Sequence, residues 1–153
     1  MTTTQESARP APLIGPAVGQ AQASLTRLLT GILAETGTSY QAWLGLQRLA
    51  ALGGRATGET YQRDLSDWLL LDRPAAARLA EDLIAAGLAD SEDGEVRLTA
   101  RGRGLREQVL ARSAQITGPM LAAIDRADLE TTVRTLDEIT RRARGTTTTE
   151  GNR

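Results

Sequence analysis

The chain has no cysteine, histidine, phenylalanine or lysine, and its 153 residues include only four aromatic side chains, Tyr40, Trp43, Tyr61 and Trp68. Each absence removes a class of chemistry. Without cysteine there is no disulfide, no thiolate nucleophile and no redox-sensing thiol. Without histidine there is no imidazole base, no usual zinc ligand set and no side chain whose ordinary pKa lies between pH 5 and 8. We therefore expect no metal and no cofactor. All eighteen basic residues are arginine and nearly balance nineteen acids, so a net charge of −1 exerts no overall pull toward a polyanion. No apolar run reaches the length of a membrane span, and residues 1–12 lack the basic cluster and apolar segment of a signal peptide. The expected location is cytoplasmic, with no membrane partner.

What is present is helical periodicity. Val18, Ala21, Leu25, Leu29, Ile32 and Leu33 recur at spacings of three and four, which predicts an amphipathic helix over 15–35 stopped by Gly37. Ser39 caps a second helix bearing Trp43, Leu46 and Leu49, ended by Gly53-Gly54, and Thr57 caps a third bearing Tyr61, Leu65 and Trp68. A short turn after Leu71 feeds a fourth helix that Pro74 opens and Gly87 closes, with Leu79, Leu83 and Ile84 inward. Residues 88–90 and 96–98 flank an Asp93-Gly94 pair suited to a tight hairpin turn. Thr99 caps a long helix that Gly118-Pro119 should bend or interrupt, and Asp125 caps a last one with Leu129, Val133, Leu136 and Ile139 on one face. Residues 1–12 and 145–153 are polar, and both read as disordered tails.

Three short helices and a hairpin cannot bury the apolar stripes of two further long helices. Packing those stripes against a second copy would, which predicts an isologous homodimer.

Three local motifs resemble the MarR-type (multiple antibiotic resistance) winged-helix transcriptional regulators. They are Ser39-Tyr40-Gln41-Ala42-Trp43-Leu44-Gly45-Leu46, the turn and helix from Leu71 to Leu88, and Val96-Arg97-Leu98-Thr99-Ala100-Arg101-Gly102-Arg103-Gly104-Leu105, which is similar to the family's exit from the wing. The resemblance implies a mainly α fold with a small β-hairpin wing. A winged helix-turn-helix lobe would occupy 39–98, with dimerisation helices over 13–38 and 99–144. It also implies a ligand-responsive dimeric regulator that binds double-stranded DNA and takes a small aromatic or amphipathic molecule in the crevice between the dimerisation helices and the lobe.

The reading helix departs from that pattern. Pro74, Ala75, Ala76 and Ala77 stand where the family usually places polar base-reading side chains, and Glu92-Asp93-Gly94-Glu95 replaces its wing tip. Between Ala56 and Ala100 four arginines face ten acids. The DNA-binding candidates are accordingly few: Arg73, Arg78, Arg97 and Arg101.

The ligand candidates are Tyr40, Trp43, Tyr61 and Trp68, whose flat rings suit a planar molecule, with Gln47 and Arg112 as oriented polar groups. Core packing is the alternative for the two tryptophans, and solvent exposure for the polar pair. A second reading keeps the fold but gives up DNA: a small-molecule binder, or a cofactor-independent enzyme transferring protons or cyclising an aromatic metabolite. Tyr40, Tyr61, Glu35 and Asp64 would then be the available acid and base groups, although no spacing singles out a catalytic pair.

Overall fold

The computed structural model describes residues 13–150, with side chains to 146. The sequence expectations for residues 1–12 and 151–153 lie outside it. Among the described residues nine elements follow one another: α1 (Ile14–Thr36), α2 (Tyr40–Ala51), β1 (Arg55–Thr57), α3 (Gly58–Leu69), α4 (Arg73–Ala85), β2 (Ala89–Glu92), β3 (Glu95–Leu98), α5 (Ala100–Ala122) and α6 (Arg126–Glu150). They divide into two units, one ending at Val109 and one beginning at Leu110.

In the first unit the helix starts are set by side-chain caps. Ser39 Oγ accepts from the Ala42 N–H, Thr57 Oγ1 from that of Thr60, and Asp72 Oδ1 from that of Ala75. Each satisfies a backbone donor that the first helical turn leaves free. The inward faces of α2, α3 and α4 meet in one core: Leu46, Leu49, Tyr61, Leu65, Ala76, Leu79 and Leu83, joined by Val96 and Leu98 from the sheet. At Gly45 the helices approach so closely that a Cβ would lie 2.9 Å from Leu83 Cδ1 and 3.3 Å from the Tyr61 oxygen, which explains a glycine inside α2.

The sheet has the order β1-β3-β2 and is antiparallel throughout, pairing Ala56 with Val96 and Ser91 with Val96 from opposite sides. β2 and β3 are joined by Asp93-Gly94, both at positive φ (51° and 76°), as a two-residue type I′ turn requires. The strand β1 was not expected: the segment Arg55-Ala56-Thr57 is too short to show alternation, and only its pairing with β3 makes it a strand. Between α3 and α4 the chain turns at Leu70, a non-glycine residue in the left-handed region (φ 54°) whose side chain is 90% exposed.

The exit from the wing is locked by the threonine that caps α5. Thr99 donates its hydroxyl to the Gly87 carbonyl (2.7 Å) and accepts from the Gly102 N–H (3.0 Å), while its own N–H donates to the Leu88 carbonyl (3.2 Å).

In the second unit, α5 continues through Pro119 to Ala122, so of the two outcomes open at Gly118-Pro119, a bend or an interruption, the helix is not interrupted. Asp125 caps α6, accepting from the N–H groups of Ala127 and Asp128. That helix runs through Gly145 to Glu150, past the boundary at 145 that the sequence suggests. Val133, Leu136 and Ile139 remain exposed along α6, as do Ile14, Val18, Leu25 and Leu28 along α1.

Candidate nucleic-acid interface and ligand cleft

Helix α4 buries Ala76, Leu79, Ala80 and Leu83. Pro74, Arg78, Glu81 and Ala85, at spacings of four, three and four, form the opposite strip and are exposed. Arg73, one residue inside the cap, instead lines a groove beside α3 with Glu59, Gln62, Arg63 and Asp67.

Most arginines of the first unit are engaged within the protein. Arg48 makes a bidentate pair with Asp64 (2.8 and 2.9 Å), and its guanidinium lies 4.2 Å from the centre of the Trp68 ring. Arg63 pairs with Glu59 one turn earlier on α3. On the outer face of the sheet, Arg55 binds Glu95 (2.8 Å), and Arg97 binds both Glu92 (2.6 Å) and Glu95 (3.2 Å). These two guanidinium groups, Arg55 foremost, hold the Glu95 carboxyl below the usual glutamate range. Arg97 Nε is buried with no hydrogen-bond partner among the described residues. Arg103 donates to the Leu98 carbonyl and Arg106 to the Gln47 amide oxygen. Arg73, Arg78 and Arg101 make no ion pair or hydrogen bond among the described residues.

A cleft of about 480 Å³ opens where the α1–α2 loop, the end of α4 and the start of α5 converge. Thr36, Thr38, Ser39 and Gln108 supply polar groups, Ala42, Leu88 and Leu105 apolar walls, and Arg101 the single charge. Among the described residues no carboxylate lines it, although the chain carries nineteen acids.

The aromatic residues do not converge on this cleft. Trp43 and Tyr61 are buried, and the Tyr61 hydroxyl donates to the Gly45 carbonyl (2.8 Å). Burial, and secondarily the Asp64 charge, push the Tyr61 phenol far above the ordinary tyrosine range. Trp68 is exposed beneath Arg48, and Tyr40 opens α2 in a half-buried position. Gln47 is bound by Arg106, and Arg112 hydrogen-bonds Gln115 within α5. Of the acid and base candidates, Asp64 is held by Arg48, Tyr61 by a backbone carbonyl, and Glu35 is exposed near the end of α1. Tyr61 and Asp64 lie near enough for the carboxylate charge to act on the phenol, but the Tyr61 proton goes to Gly45 and Asp64 is held by Arg48. The cleft's own lining of threonine, serine and alanine carries no spacing signal; only its position, at the junction of α1, α2, α4 and α5, marks it.

Three helices, a three-stranded wing and long helices at both ends make this a winged-helix fold of the MarR type. No family model and no curated protein matches the chain. Solved structures do match in fold. NadR in complex with 4-hydroxyphenylacetate superposes with a TM-score of 0.68 at 21% identity, over 91% of this chain and 97% of that one. A MarR family protein from Bacillus stearothermophilus gives 0.68 at 18%, over 85% and 92%. The organohalide-sensing transcriptional regulator RdhR bound to 2,4-dichlorophenol gives 0.68 at 18%, over 94% and 87%.

Proposed function

We propose that the protein is a dimeric DNA-binding transcription regulator of the MarR type that acts in the cytoplasm and is released from its operator by a small anionic aromatic molecule. The observation that carries the reading is the exposed outer strip of α4, presented at the end of a capped helix-turn-helix and flanked by a wing. This is the arrangement that seats a helix in a major groove.

The ligand class follows from the cleft. One guanidinium, several hydroxyls and no opposing acid suit a carboxylate or phenolate head, and its volume lies within the range of small-molecule pockets, about 300–1,000 Å³. The fold neighbours bound to 4-hydroxyphenylacetate and 2,4-dichlorophenol support this chemistry. Arg101, read from sequence as a DNA contact, is better placed here as the ligand's counter-ion. A second copy is supported by the exposed apolar residues of α1 and α6, which a monomer leaves in water.

The test is a gel shift at low salt with duplexes from the region upstream of the protein's own gene. Retention of a duplex with two half-sites about one helical turn apart, ~34 Å, is expected. Release by 4-hydroxyphenylacetate, lost in Arg101→Ala, would establish the ligand site. A protein that retains no duplex, or that light scattering shows to be a monomer at micromolar concentration, overturns the reading.

A further inference from the structure

Resting on that function, we infer that sequence selectivity is carried by Arg78, which reads one guanine in each half-site, and that the wing contributes no base reading.

The inference begins with what the outer strip of α4 can offer a base edge. Pro74 and Ala85 have no side-chain donor or acceptor, and Glu81 can only accept while ionised. Arg78 is the one donor on the strip, is exposed, and makes no ion pair among the described residues. One turn before it stands the compact Pro74 and one turn after it the exposed acids Glu81 and Asp82, so Arg78 is the group of this face that can donate to a base edge. A guanidinium fork placed there matches guanine, whose O6 and N7 both accept in the major groove. The neighbouring Pro74, Ala75 and Ala77 can add only apolar contact, which a thymine methyl provides.

Arg73 has a different role. It lies off that strip, in the groove beside α3, where Glu59 and Asp67 are close by. From the flank of the reading helix a guanidinium reaches backbone phosphate, which adds affinity without sequence information.

The wing is closed by its own charges. Arg97, the basic residue of the hairpin, is held by Glu92 and Glu95, and Arg55 on the neighbouring strand is held by Glu95. With their charge already balanced by these carboxylates, the two guanidinium groups offer DNA little net attraction. Asp90 and Asp93 add further negative charge on the same two-stranded ribbon.

The experiment is selection from a randomised duplex pool with the full-length protein, followed by sequencing, for wild type, Arg78→Ala, Arg78→Lys, Arg73→Ala and Arg97→Ala. The wild type is expected to enrich a two-fold symmetric site with an invariant guanine in each half. Arg78→Ala loses that preference, with affinity for the selected duplex reduced about ten-fold or more while non-specific binding changes little, and Arg78→Lys, which can still donate to O6 and N7 but without the planar fork, keeps a weakened one. Arg73→Ala weakens all duplexes alike and flattens the salt dependence. Arg97→Ala leaves the enriched sequence unchanged. If Arg78→Ala enriches the same guanine, or Arg97→Ala erases it, the assignment is wrong although the regulator reading stands. A wild type that enriches nothing removes both.

Discussion

Two glycines lie two residues apart in the first turns of α5, and the structure gives them opposite predictions. A Cβ at Gly102 would stand 2.1 Å from the Leu88 carbonyl oxygen, 3.0 Å from its carbon and 3.3 Å from Leu98 Cδ2. A Cβ at Gly104 would meet nothing within 4 Å. Alanine at either position raises helix propensity by up to ~1 kcal/mol. At Gly104 that gain stands alone, so Gly104→Ala should stabilise by up to about 1 kcal/mol. At Gly102 the obstacle is backbone, which cannot rotate away. A carbon and a carbonyl oxygen rarely approach closer than about 3.3 Å, so Leu88 or the start of α5 must move by roughly 1 Å. That movement strains the Thr99 N–H bond to Leu88, worth about 1 kcal/mol. Overpacking adds ~1–3 kcal/mol. After subtracting the propensity gain, Gly102→Ala should lose about 2 kcal/mol, leaving the two variants about 3 kcal/mol apart. Urea denaturation at one fixed protomer concentration measures this, because a dimer's midpoint depends on concentration. Equal stability of the two variants would refute the argument that backbone approach, rather than wing sequence, dictates the glycine.

Other predictions follow from the buried polar contacts. Tyr61→Phe removes the hydrogen bond to Gly45 and should cost about 0.5–1.5 kcal/mol in the same assay. Because the folded protein holds the Tyr61 proton more tightly than the unfolded chain, stability should fall as pH rises above about 10, and Tyr61→Phe should lessen that fall. A slope identical in both proteins would exclude Tyr61 as its source. Asp64→Asn leaves the Arg48 guanidinium with a neutral partner and should destabilise by about 1–3 kcal/mol. Arg48 is also stacked on Trp68, so the tryptophan emission of this variant should change before any unfolding. Leu25→Asp on α1 should shift light scattering from dimer to monomer, since it places a charge on the exposed apolar stripe.

The fold was legible because its signals are local. Ser39, Thr57, Thr99 and Asp125 cap the helices at the positions the sequence indicates, and Asp93-Gly94 forms the hairpin turn its pairing predicts. What escaped was tertiary. β1 exists only through its partner strand. Whether Pro119 bends or breaks α5 was open in the sequence, because the residues around it decide, and the helix runs on through it. The site was harder still, because side-chain type does not reveal direction: Trp43 and Tyr61 have the chemistry of a pocket wall but turn into the core, and Trp68 is covered on one face by Arg48. The cleft instead draws on Thr36, Thr38 and Ser39, whose identities suit caps and turns equally well. Charge counting was incomplete, since the four arginines counted between Ala56 and Ala100 differ in whether an acid already holds them.

The bend at Leu70 sets the angle at which α4 leaves α3, yet it does so with a residue poorly suited to it. A leucine held at φ 54° carries a backbone penalty of about 1–2 kcal/mol that glycine would not, and its side chain makes little contact in return. The joint is therefore held shut by its surroundings rather than by its own preference: by the Asp72 cap on one side and the α3–α4 core on the other. Loosening either support, as Asp72→Ala does, therefore costs the lobe twice, once in the lost cap and once in the strain at Leu70 that nothing then offsets.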